Sequence, residues 1–495
     1  MISKNVLRFV LSLKIRRLRQ RKGFSLKELA EKSGLSHSYL NEIEKGKKYP
    51  KVEKLIGLAG ALDVSVEDLV SIKMGHQLHP LLEFLESDLA ANLPLSAFGI
   101  GDQDVYDLMS HAPEKFTSFL MTVSELSKSF DVSVDDLNKA ALRAHLEVNQ
   151  NYFPVLEDLA FATGNKLYRE FKGREEDFSD YIESRLKSDF GILVKNHSLL
   201  GNGSGIGLRS VFKEGKESVL FIHSGLDTRQ KLFGLLKEYC AQVLLDGHDR
   251  KKRDPLRGQF SDLLFDYQAF YLASAILINK ESLRKDLEHI FSFAEFSKNS
   301  LLDCLEKYFV PPEVFMSRLT QIIPHYFEMS QLFYLRCNEE ILDAPNRYFI
   351  TQELHLGKLH HPHGISLREH YCRRWITTDL LKELKAGKRE GPTLGVQVSK
   401  MGDKGEDYFC LSIARPRATD PNVNSCFTLG LSMDKNFSER VNFSDDVKLD
   451  RRVVGRTCER CSITDCEERV SPPNLFNQEA FKARKKELIK NILSQ

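Results

Sequence analysis

The sequence lacks the features that would place it in a membrane or outside the cell. It contains no run of 18 apolar residues, so a membrane-spanning helix is not expected. The stretch NVLRFVLSLKIRRLRQRKG comes nearest to a signal peptide, but Arg8 interrupts its apolar part and no small-residue cleavage site follows. Nine cysteines, an odd number without a secretory signal, favour reduced thiols and a metal site over a disulfide framework. We therefore expect a cytoplasmic protein.

A second absence concerns a pair of histidines in the middle of the chain. The stretch RQKLFGLLKEYCAQVLL has the frame of the H-E-x-x-H helix of zinc proteases. Lys237 and Ala241 stand where the two zinc-binding histidines would be, and Glu238 is kept. A protonated lysine repels a dication, and alanine has no donor atom. Because a catalytic zinc needs three protein ligands, we expect no catalytic residues and no enzymatic activity here.

Length and charge indicate several domains with one basic segment. At 495 residues the chain is too long for a single core, and 42% hydrophobic with 28% charged residues fits a globular protein. Residues 1–75 contain 16 Lys and Arg against 8 Asp and Glu, so the net charge of +2 conceals a basic head of +8. A basic head on a mildly acidic body indicates a polyanionic partner for the head, although a solvated basic face would have the same composition.

The head shows the spacing of two short helices joined by a tight turn, in FSLKELAEKSGLSHSYLNEIEKGKKYP. Ser25 and Glu28 form an S-x-x-E capping box that begins the first helix. Gly34 supplies the turn, and Ser36 caps a second helix.

This pattern resembles the lambda-repressor-like helix-turn-helix of the XRE family, whose motif GLSHSYLNEIEKGKKYP matches almost throughout. The resemblance implies that the second helix lies in the major groove of double-stranded DNA and that its N-terminal residues meet base edges. It assigns base contacts to His37, Ser38 and Asn41, with Tyr39 at the margin. The basic side chains near this surface suit phosphates: Arg17, Arg19, Lys45, Lys47 and Lys48. An ordinary helical bundle is the alternative.

The middle of the chain is predicted to contain a helical linker or dimerisation region at residues 76–144 and a mixed domain at 145–325. The linker includes the loop NLPLSAFGIGDQD. In the mixed domain, AHLEVNQNYFPVLEDLAFATGNKLYREF is predicted to be one long amphipathic helix. The segments FGILVKN, GLRSVFK and SVLFIH are predicted strands. The glycine run LLGNGSGIG between the first two favours a hairpin loop over a phosphate loop, because no helix follows it.

A helix, three strands, the altered H-E-x-x-H helix and the helix DYQAFYLASAIL resemble the ImmA/IrrE peptidase domain. The later helix in VPPEVFMSRLTQI resembles the one that closes that domain. The resemblance implies a degenerate zincin-like α+β domain kept as a scaffold, and it places Asp266 at the position of the third zinc ligand. A metal-dependent, repressor-cleaving peptidase that uses other ligands is the rival interpretation.

Residues 326–495 are predicted to form an antiparallel α+β domain. The segments LFYLRCN, RYFITQEL, TLGVQVSK, DYFCLSIARP and CFTLGLSM alternate as strands do, and SLREHYCRRWITTDLLKEL is predicted to be a helix among them. A C-x2-C-x4-C cluster follows, formed by Cys458, Cys461 and Cys466. Such a thiolate knuckle is a common half of a tetrahedral metal site, although free thiols in a turn would also account for it.

The segment GRTCERC together with an upstream C-x-x-W resembles the short-chain fatty-acyl transcriptional regulator family. The resemblance covers nearly the whole chain and implies Cys372 as the fourth metal ligand. It also implies an acyl-CoA or a related short-chain acid as effector. Zinc is the first choice of metal and an iron–sulfur cluster the second, since four thiolates suit both. The loop HLGKLHHPHG is predicted to be a solvated turn rather than a further metal or phosphate contact; its histidines are His355, His360, His361 and His363.

These observations predict a multidomain protein, mainly α with α+β parts, that regulates transcription and is not an enzyme. Its expected partners are an operator in double-stranded DNA, a second copy of the chain in a homodimer or higher oligomer, and a small metabolite. The remaining alternative is a phage or antitoxin type of repressor without a metabolite ligand.

Overall fold

The computed structural model describes residues 4–71, 122, 125, 133–197, 208–246, 260–340, 347–357, 369–387, 392–402 and 407–493. Most of the expected linker, the glycine run LLGNGSGIG and the histidines at 360, 361 and 363 lie outside the described residues. The chain divides into two compact units. One comprises Met1–His145 and Arg253–Leu264, and the other comprises Leu146–Lys252 and Phe265–Gln495.

The N-terminal helices form a small bundle with its own apolar core. They are α1 (Lys4–Arg21), α2 (Leu26–Ser33), α3 (His37–Glu44), α4 (Val52–Leu62) and α5 (Val66–Val70), and α6 (Val134–Val148) follows later in the chain. Leu29, Leu40 and Leu58 are fully buried at its centre. The predicted capping box at the start of α2 is present, because Ser25 and Glu28 bond each other's backbone N–H groups at 3.2 and 2.6 Å. Gly34 ends α2 with φ +66°, a left-handed conformation that favours glycine.

The second unit begins with a helical layer around a small sheet. Its helices are α7 (Pro154–Glu170), α8 (Phe178–Phe190), α9 (Thr228–Asp246), α10 (Phe260–Leu277), α11 (Lys280–Phe291), α12 (Lys298–Lys307) and α13 (Pro312–Phe327), and only the start of α10, up to Leu264, belongs to the first unit. Its strands are β1 (Ile192–His197), β2 (Ser210–Lys213) and β3 (Ser218–His223), in the order β1-β3-β2. All three strands occur where the sequence predicts them.

The expected hairpin between the first two strands is wrong. β3 lies between β1 and β2, parallel to β1 and antiparallel to β2. The glycine run therefore joins two strands that are not neighbours, and the hairpin is the connection between β2 and β3. A glycine-rich segment indicates that the chain turns there. It does not indicate whether a third strand lies between the two strands that it joins.

The long helix predicted for residues 144–171 is two helices. Gln150 and Asn151 adopt φ of +50° and +53°, and Pro154 begins α7. A proline disfavours helical backbone at the residue before it, and it lacks the N–H that would continue the helix. Asn151 is held in this break by Thr320, whose hydroxyl lies 2.8 Å from its side-chain nitrogen.

The rest of the second unit is built on a six-stranded sheet. Its strands are β4 (Leu332–Glu340), β5 (Arg347–Leu356), β6 (Thr393–Met401), β7 (Asp407–Arg417), β8 (Asp420–Ser432) and β9 (Arg451–Val454), in the order β5-β4-β8-β7-β6-β9. The pairs are antiparallel, as predicted, except for β9, which runs parallel to β6. The helices are α14 (Ile376–Lys385), α15 (Lys435–Arg440) and α16 (Asn474–Leu493).

The two faces of this sheet pack against different helices. Phe333, Leu335 and Cys337 on β4 form an apolar cluster with Leu380 and Leu381 of α14. Because side chains alternate along a strand, the residues between them face the opposite side, where α13 lies. None of the helices in the described ranges is long and apolar enough to cross a membrane.

The helix predicted over SLREHYCRRWITTDLLKEL begins only at Ile376. Residues 369–375 before it are not helical, and Tyr371 forms an antiparallel bridge with Thr457. Backbone hydrogen bonds join Cys372 to Arg456 at 3.2 Å and Cys458 to His370 at 2.8 Å. This pairing with a segment about 85 residues later in the chain gives hydrogen-bond partners to backbone groups that would otherwise bond within a helix. It also brings Cys372 to residues 458–466, which we call the cysteine loop.

Candidate DNA-binding and regulatory sites

The N-terminal turn of α3 presents the residues expected to read bases. Ser36 caps the helix by accepting a hydrogen bond from the backbone of Tyr39 at 3.2 Å. His37 and Ser38 are exposed, while Tyr39 and Asn41 are partly exposed. Leu40 and Ile43 on the opposite side are buried in the bundle, so packing fixes which face of α3 points outward.

Basic side chains follow α3 directly. Lys45 and Lys47 are exposed. The ammonium of Lys48 lies 2.9 Å from the Glu42 carboxylate and 5.7 Å from the centre of the Tyr39 ring. The hydrogen bond with Glu42 raises the pKa of Lys48, which therefore carries its full charge near neutral pH. These cations lie beside the outward face of α3, where phosphates flanking a major groove would be.

Arg19 has a different position from the one expected of a phosphate contact. Its guanidinium makes two hydrogen bonds to the Glu44 carboxylate, at 2.7 and 2.9 Å, and a third to the carbonyl of Phe24 at 2.9 Å. Arg19 and Glu44 expose only 13% and 6% of their side chains. Arg19 thus ties α1 to the end of α3, and a phosphate contact would have to break these bonds. Arg17 is half-buried on the same helix.

The helix with the altered zinc-protease frame carries an ion pair where the metal would be expected. Lys237 on α9, at the first histidine position, lies 2.6 Å from the carboxylate of Asp266 on α10. Glu238 is buried and accepts a hydrogen bond from Gln242 at 2.7 Å. Ala241 is fully buried, and its methyl side chain has no donor atom for the second histidine position. A lysine ammonium thus neutralises the acid expected as third ligand.

The cysteine loop is held by hydrogen bonds from Arg469. Its guanidinium donates to the carbonyl groups of Cys458 at 2.6 Å, Cys461 at 3.2 Å and Ile463. The backbone N–H of Arg469 donates to the carbonyl of Cys466 at 3.2 Å. One arginine therefore organises the turn that carries three of the four predicted ligands.

Three of the predicted ligands lie near each other. Burial raises the pKa of Cys372 to about 11; backbone hydrogen bonds oppose the rise, and the nearby thiols of Cys461 and Cys458 add to it. A Cβ atom at Gly455 would lie 2.8 Å from the sulfur of Cys461, so only glycine fits beside that thiol. Cys466 is half-buried.

The thiol chemistry suits zinc or an iron–sulfur cluster, but the arrangement seen here is not that of a metal centre. Within the described residues, no three His, Cys, Asp or Glu side chains are placed so that they could hold a metal ion. The structure therefore brings Cys372 to the loop of Cys458 and Cys461 without giving these thiols a coordination geometry.

A cavity beside the cysteine loop was not expected from the sequence. It is a small, partly open pocket between α14 and the six-stranded sheet, and its walls include Phe333, Trp375, Met401 and Val454. The indole N–H of Trp375 donates to the carbonyl of Gly455 at 2.9 Å, which connects the cavity wall to the cysteine loop. No local pattern could have indicated this cavity, since its walls come from distant segments.

Comparison with known proteins finds a family match in the N-terminal part of the chain and another in the C-terminal part. A helix-turn-helix family model matches residues 15–69, and the model described as short-chain fatty acyl coenzyme A regulator, C-terminal, matches residues 370–489. The HTH-type transcriptional regulator SinR of Bacillus licheniformis is 43% identical over 61 residues, which are 12% of this chain and 55% of that protein. The uncharacterized HTH-type transcriptional regulator y4dJ of Sinorhizobium fredii is 44% identical over 55 residues, 11% of this chain and 71% of that protein.

Among solved structures, a Mycobacterium tuberculosis transcriptional regulator is 17% identical, covers 68% of this chain and 93% of its own, and has a TM-score of 0.46. The chain spans about half the length of the SinR proteins that it matches. The XRE-type head and the regulator type of the C-terminal domain are confirmed, whereas the ImmA/IrrE resemblance of the middle stays a prediction. The chain belongs to the HTH-type transcriptional regulators, with an XRE-type DNA-binding head and a C-terminal domain of the short-chain fatty acyl coenzyme A regulator type.

Proposed function

We propose that the protein binds an operator in double-stranded DNA through α3 and changes its affinity in response to a short-chain acyl-CoA. The observation that best supports recognition of DNA bases is the capped N-terminal turn of α3. This turn exposes His37 and Ser38, with Asn41 beside them. An asparagine can bond both groups of an adenine edge, which supports sequence-specific binding.

The phosphate contacts are proposed for Arg17, Lys45, Lys47 and Lys48. Arg19 is left out because its guanidinium is already bound to Glu44 and Phe24. Lysines beside a recognition helix supply affinity that does not depend on sequence and that weakens with salt. A homodimer or higher oligomer would place two copies of α3 on successive half-sites of one operator.

The acyl-CoA effector is supported by the match of residues 370–489 to the C-terminal domain of short-chain fatty acyl coenzyme A regulators. The same region contains the cysteine loop and most of the cavity wall. We propose zinc as the ion that its thiols take, with an iron–sulfur cluster as the second choice. Four thiolates match the preference of both, and their binding energy would add to the stability of the fold.

The middle domain is proposed to be a scaffold without catalytic activity. The ion pair between Lys237 and Asp266 supports this interpretation over a repressor-cleaving peptidase. A bound cation there would have to displace the ammonium and find other ligands, because Ala241 supplies none.

The test is a DNA-binding titration with the full chain. Operator sequences are first selected from random DNA, and affinity is then measured by fluorescence anisotropy with propionyl-CoA, acetyl-CoA or free coenzyme A. We expect a preferred sequence and an affinity that changes with the acyl-CoA but not with free coenzyme A. Equal affinity for selected and random DNA would contradict the proposed reading of bases, and an affinity indifferent to every acyl-CoA would contradict the effector.

A further inference from the structure

A group of buried polar side chains lies beside α14, at the edge of the six-stranded sheet that β4 and β5 form. We call this group the polar cluster. Its members are Glu339 on β4, Tyr348 on β5, Arg373 just before α14 and Lys385 at the end of α14. Glu339, Tyr348 and Arg373 are almost completely buried, with exposures of 0%, 6% and 7%. The sequence assigned no role to these four residues, because they come from separate segments of the chain.

The register of the sheet and two measured contacts bring these side chains together. Glu339 lies directly opposite Tyr348 in the pairing of β4 and β5. Glu339 follows Cys337 by two residues, and Cys337 and Tyr348 both belong to the apolar cluster under α14, so all three project from the same face of the sheet. The guanidinium of Arg373 lies 4.3 Å from the centre of the Tyr348 ring. The ammonium of Lys385 lies 3.6 Å from a carboxylate oxygen of Glu339.

Hydrogen-bonding atoms of three members have no partner among the residues that the structure describes. These atoms are both carboxylate oxygens of Glu339, the hydroxyl of Tyr348, and Nε and Nη1 of Arg373. The ammonium of Lys385 forms an ion pair with Glu339 but lies beyond hydrogen-bond distance. Buried polar atoms of folded proteins are nearly always hydrogen-bonded, and one left without a partner lowers stability. Three such side chains at one place therefore indicate a site that a bound group completes.

A buried arginine that only stabilises the fold has its donors occupied, as Arg318 shows in the same unit. Its guanidinium donates to both oxygens of Glu157, at 2.6 and 3.0 Å. Arg373 differs, because its stacking on the ring of Tyr348 uses no N–H group. Two of its nitrogens thus stay available as donors within the described part of the chain.

The protonation states of the cluster place acceptors and donors side by side. Burial raises the pKa of Glu339, and the charge of Lys385 opposes this rise. Burial also raises the pKa of Tyr348, so its hydroxyl keeps its proton and can donate. A guanidinium keeps its proton in proteins. Glu339 therefore offers acceptors, while Tyr348 and Arg373 offer donors.

This combination determines which chemical group fits. An apolar group would leave all of these atoms without partners. A phosphate or a carboxylate would accept from Arg373 and Tyr348, but it would bring a second negative charge next to Glu339. An amide is neutral, and it can donate its N–H to a carboxylate while its carbonyl accepts from a hydroxyl and a guanidinium.

We propose that the polar cluster binds an amide group of the effector. Glu339 accepts from the amide N–H, and Tyr348 and Arg373 donate to its carbonyl. Taken with the proposed function, on which the identity of the ligand rests, the amide belongs to the pantetheine arm, which joins the acyl thioester of an acyl-CoA to its nucleotide. Arg373 and Lys385 lie within the part of the chain that matches the fatty acyl coenzyme A regulators. Lys385 exposes 32% of its side chain, so the cluster reaches the surface at the end of α14.

The experiment measures binding to the full chain by isothermal titration calorimetry with three probes. Propionyl-CoA is the whole proposed effector, S-propionylpantetheine carries the acyl group and the amides without the nucleotide, and S-ethyl thiopropionate is a thioester without an amide. Tyr348→Phe removes one hydroxyl and keeps the ring that Arg373 stacks on, and Glu339→Gln keeps the shape of the side chain. Tyr334→Phe is the matched control, because Tyr334 is a buried tyrosine of β4 on the opposite face of the sheet.

Thermal unfolding of the ligand-free chain separates a binding role from a structural one. Tyr348→Phe removes a hydroxyl that has no hydrogen-bond partner in the described ranges, so the unfolding temperature should stay the same or rise. A clear fall of the unfolding temperature would show that the hydroxyl stabilises the fold, and it would contradict the proposed site.

We expect Tyr348→Phe to weaken both amide-containing probes about threefold to tenfold, as loss of one neutral hydrogen bond does. Glu339→Gln should weaken them further, since hydrogen bonds to a charged group are stronger, and S-ethyl thiopropionate should bind all variants alike. Unchanged binding of propionyl-CoA to the two folded variants, or an equal loss with Tyr334→Phe, would overturn the amide site and leave the proposed function standing. Binding of S-propionylpantetheine that depends on Tyr348, without any binding of propionyl-CoA, would support the site and refute the effector. No binding of either amide-containing probe to the wild type would overturn the inference.

Discussion

At the scale of single residues, the basic charge of the head serves two purposes. Arg19 is nearly buried and uses its donors to join α1 to α3. Lys47 is exposed and makes no such internal bond among the described residues. The sequence could not separate these roles, since both residues are cations within reach of the same surface. The difference arises from Glu44, whose carboxylate faces inward at the end of α3.

Two substitutions can distinguish base contacts from phosphate contacts. Asn41→Ala should weaken binding to the cognate operator by about 1–3 kcal/mol and leave binding to random DNA unchanged. Lys47→Ala should weaken both alike and reduce the slope of log affinity against log salt by about 1. Anisotropy titrations at several salt concentrations measure both effects. A loss for random DNA equal to the loss for the operator in Asn41→Ala would contradict the assignment of α3.

Arg19→Met should act on stability and not on the salt dependence of DNA binding. The substitution leaves Glu44 as a nearly buried carboxylate without its guanidinium, which costs about 3–5 kcal/mol. Thermal unfolding of the head should therefore move to lower temperature. At temperatures where the variant stays folded, its salt slope should match that of the wild type. A slope reduced as in Lys47→Ala would show that Arg19 contacts phosphate after all.

At the scale of helices and strands, a buried charge network joins three helices of the second unit. Arg318 of α13 is fully buried and donates to both oxygens of Glu157 in α7, at 2.6 and 3.0 Å. The hydroxyl of Tyr271 in α10 donates to the same carboxylate at 2.7 Å. Burial alone would raise the pKa of Glu157, but the hydrogen bond and charge of Arg318 outweigh it and lower the pKa. The carboxylate therefore contributes stability in its charged form.

Removing the charge of Glu157 should destabilise the second unit at neutral pH. Glu157→Gln leaves Arg318 as a buried cation without its counter-charge, at a cost of about 3–5 kcal/mol. Because the folded pKa is lowered, the wild type should lose this stability as the pH falls from the range of a free carboxyl group through the folded pKa. Urea unfolding across that range measures the effect, and Asp158→Asn on the same helix is the control. An unfolding free energy of Glu157→Gln that falls with acid as steeply as that of the wild type would contradict the role of this carboxylate.

The pair of helices α9 and α10 leads to a prediction about catalysis. With zinc added, the purified chain should cleave neither itself nor another repressor, because Lys237 and Ala241 replace two ligands and the ammonium of Lys237 already binds Asp266. Intact-mass spectrometry over a long incubation detects cleavage. Cleavage that a chelator stops and Glu238→Gln abolishes would refute the scaffold interpretation.

The elements that the sequence predicts correctly depend on neighbours along the chain. The cap of Ser25 and Glu28 and the alternation of the strands are local patterns of this kind. The elements that it misses depend on distant backbone. The helix over the C-x-x-W segment is shortened because Tyr371 pairs with Thr457, and β9 is a four-residue strand that exists because β6 lies beside it.

At the scale of the whole molecule, the surface proposed to bind DNA and the features proposed to regulate it belong to different compact units. The α3 surface lies in the first unit, whereas the cysteine loop lies in the second. Each can therefore be altered without touching the residues of the other. In a regulator, ligand binding in the second unit must also change the affinity of the first unit for DNA. The size of that change is the coupling free energy between the two sites.

The cysteine loop leads to a prediction about metal. The hydrogen bonds of Cys372 and Cys458 already join two segments about 85 residues apart, so an ion bound by Cys372, Cys458, Cys461 and Cys466 would cross-link the end of the chain to the sheet. Its binding energy would count as folding energy. The purified protein should therefore hold about one equivalent of zinc, or a brown cluster if iron was loaded, since sulfur sites of this type hold one centre.

Cys458→Ser should release this metal and lower the unfolding temperature of the second unit, while binding to random DNA through the head is kept. Cys304→Ser is the matched control, because Cys304 is a buried cysteine of α12 outside the predicted ligand set. Metal analysis of the purified variants and thermal unfolding with and without a chelator measure the two effects. Since thiolates bind metal only when deprotonated, the metal should also leave as the pH falls. Equal metal content in Cys458→Ser and the wild type, or a wild type without metal whose stability no added zinc changes, would show that these cysteines are free thiols in a turn held by Arg469.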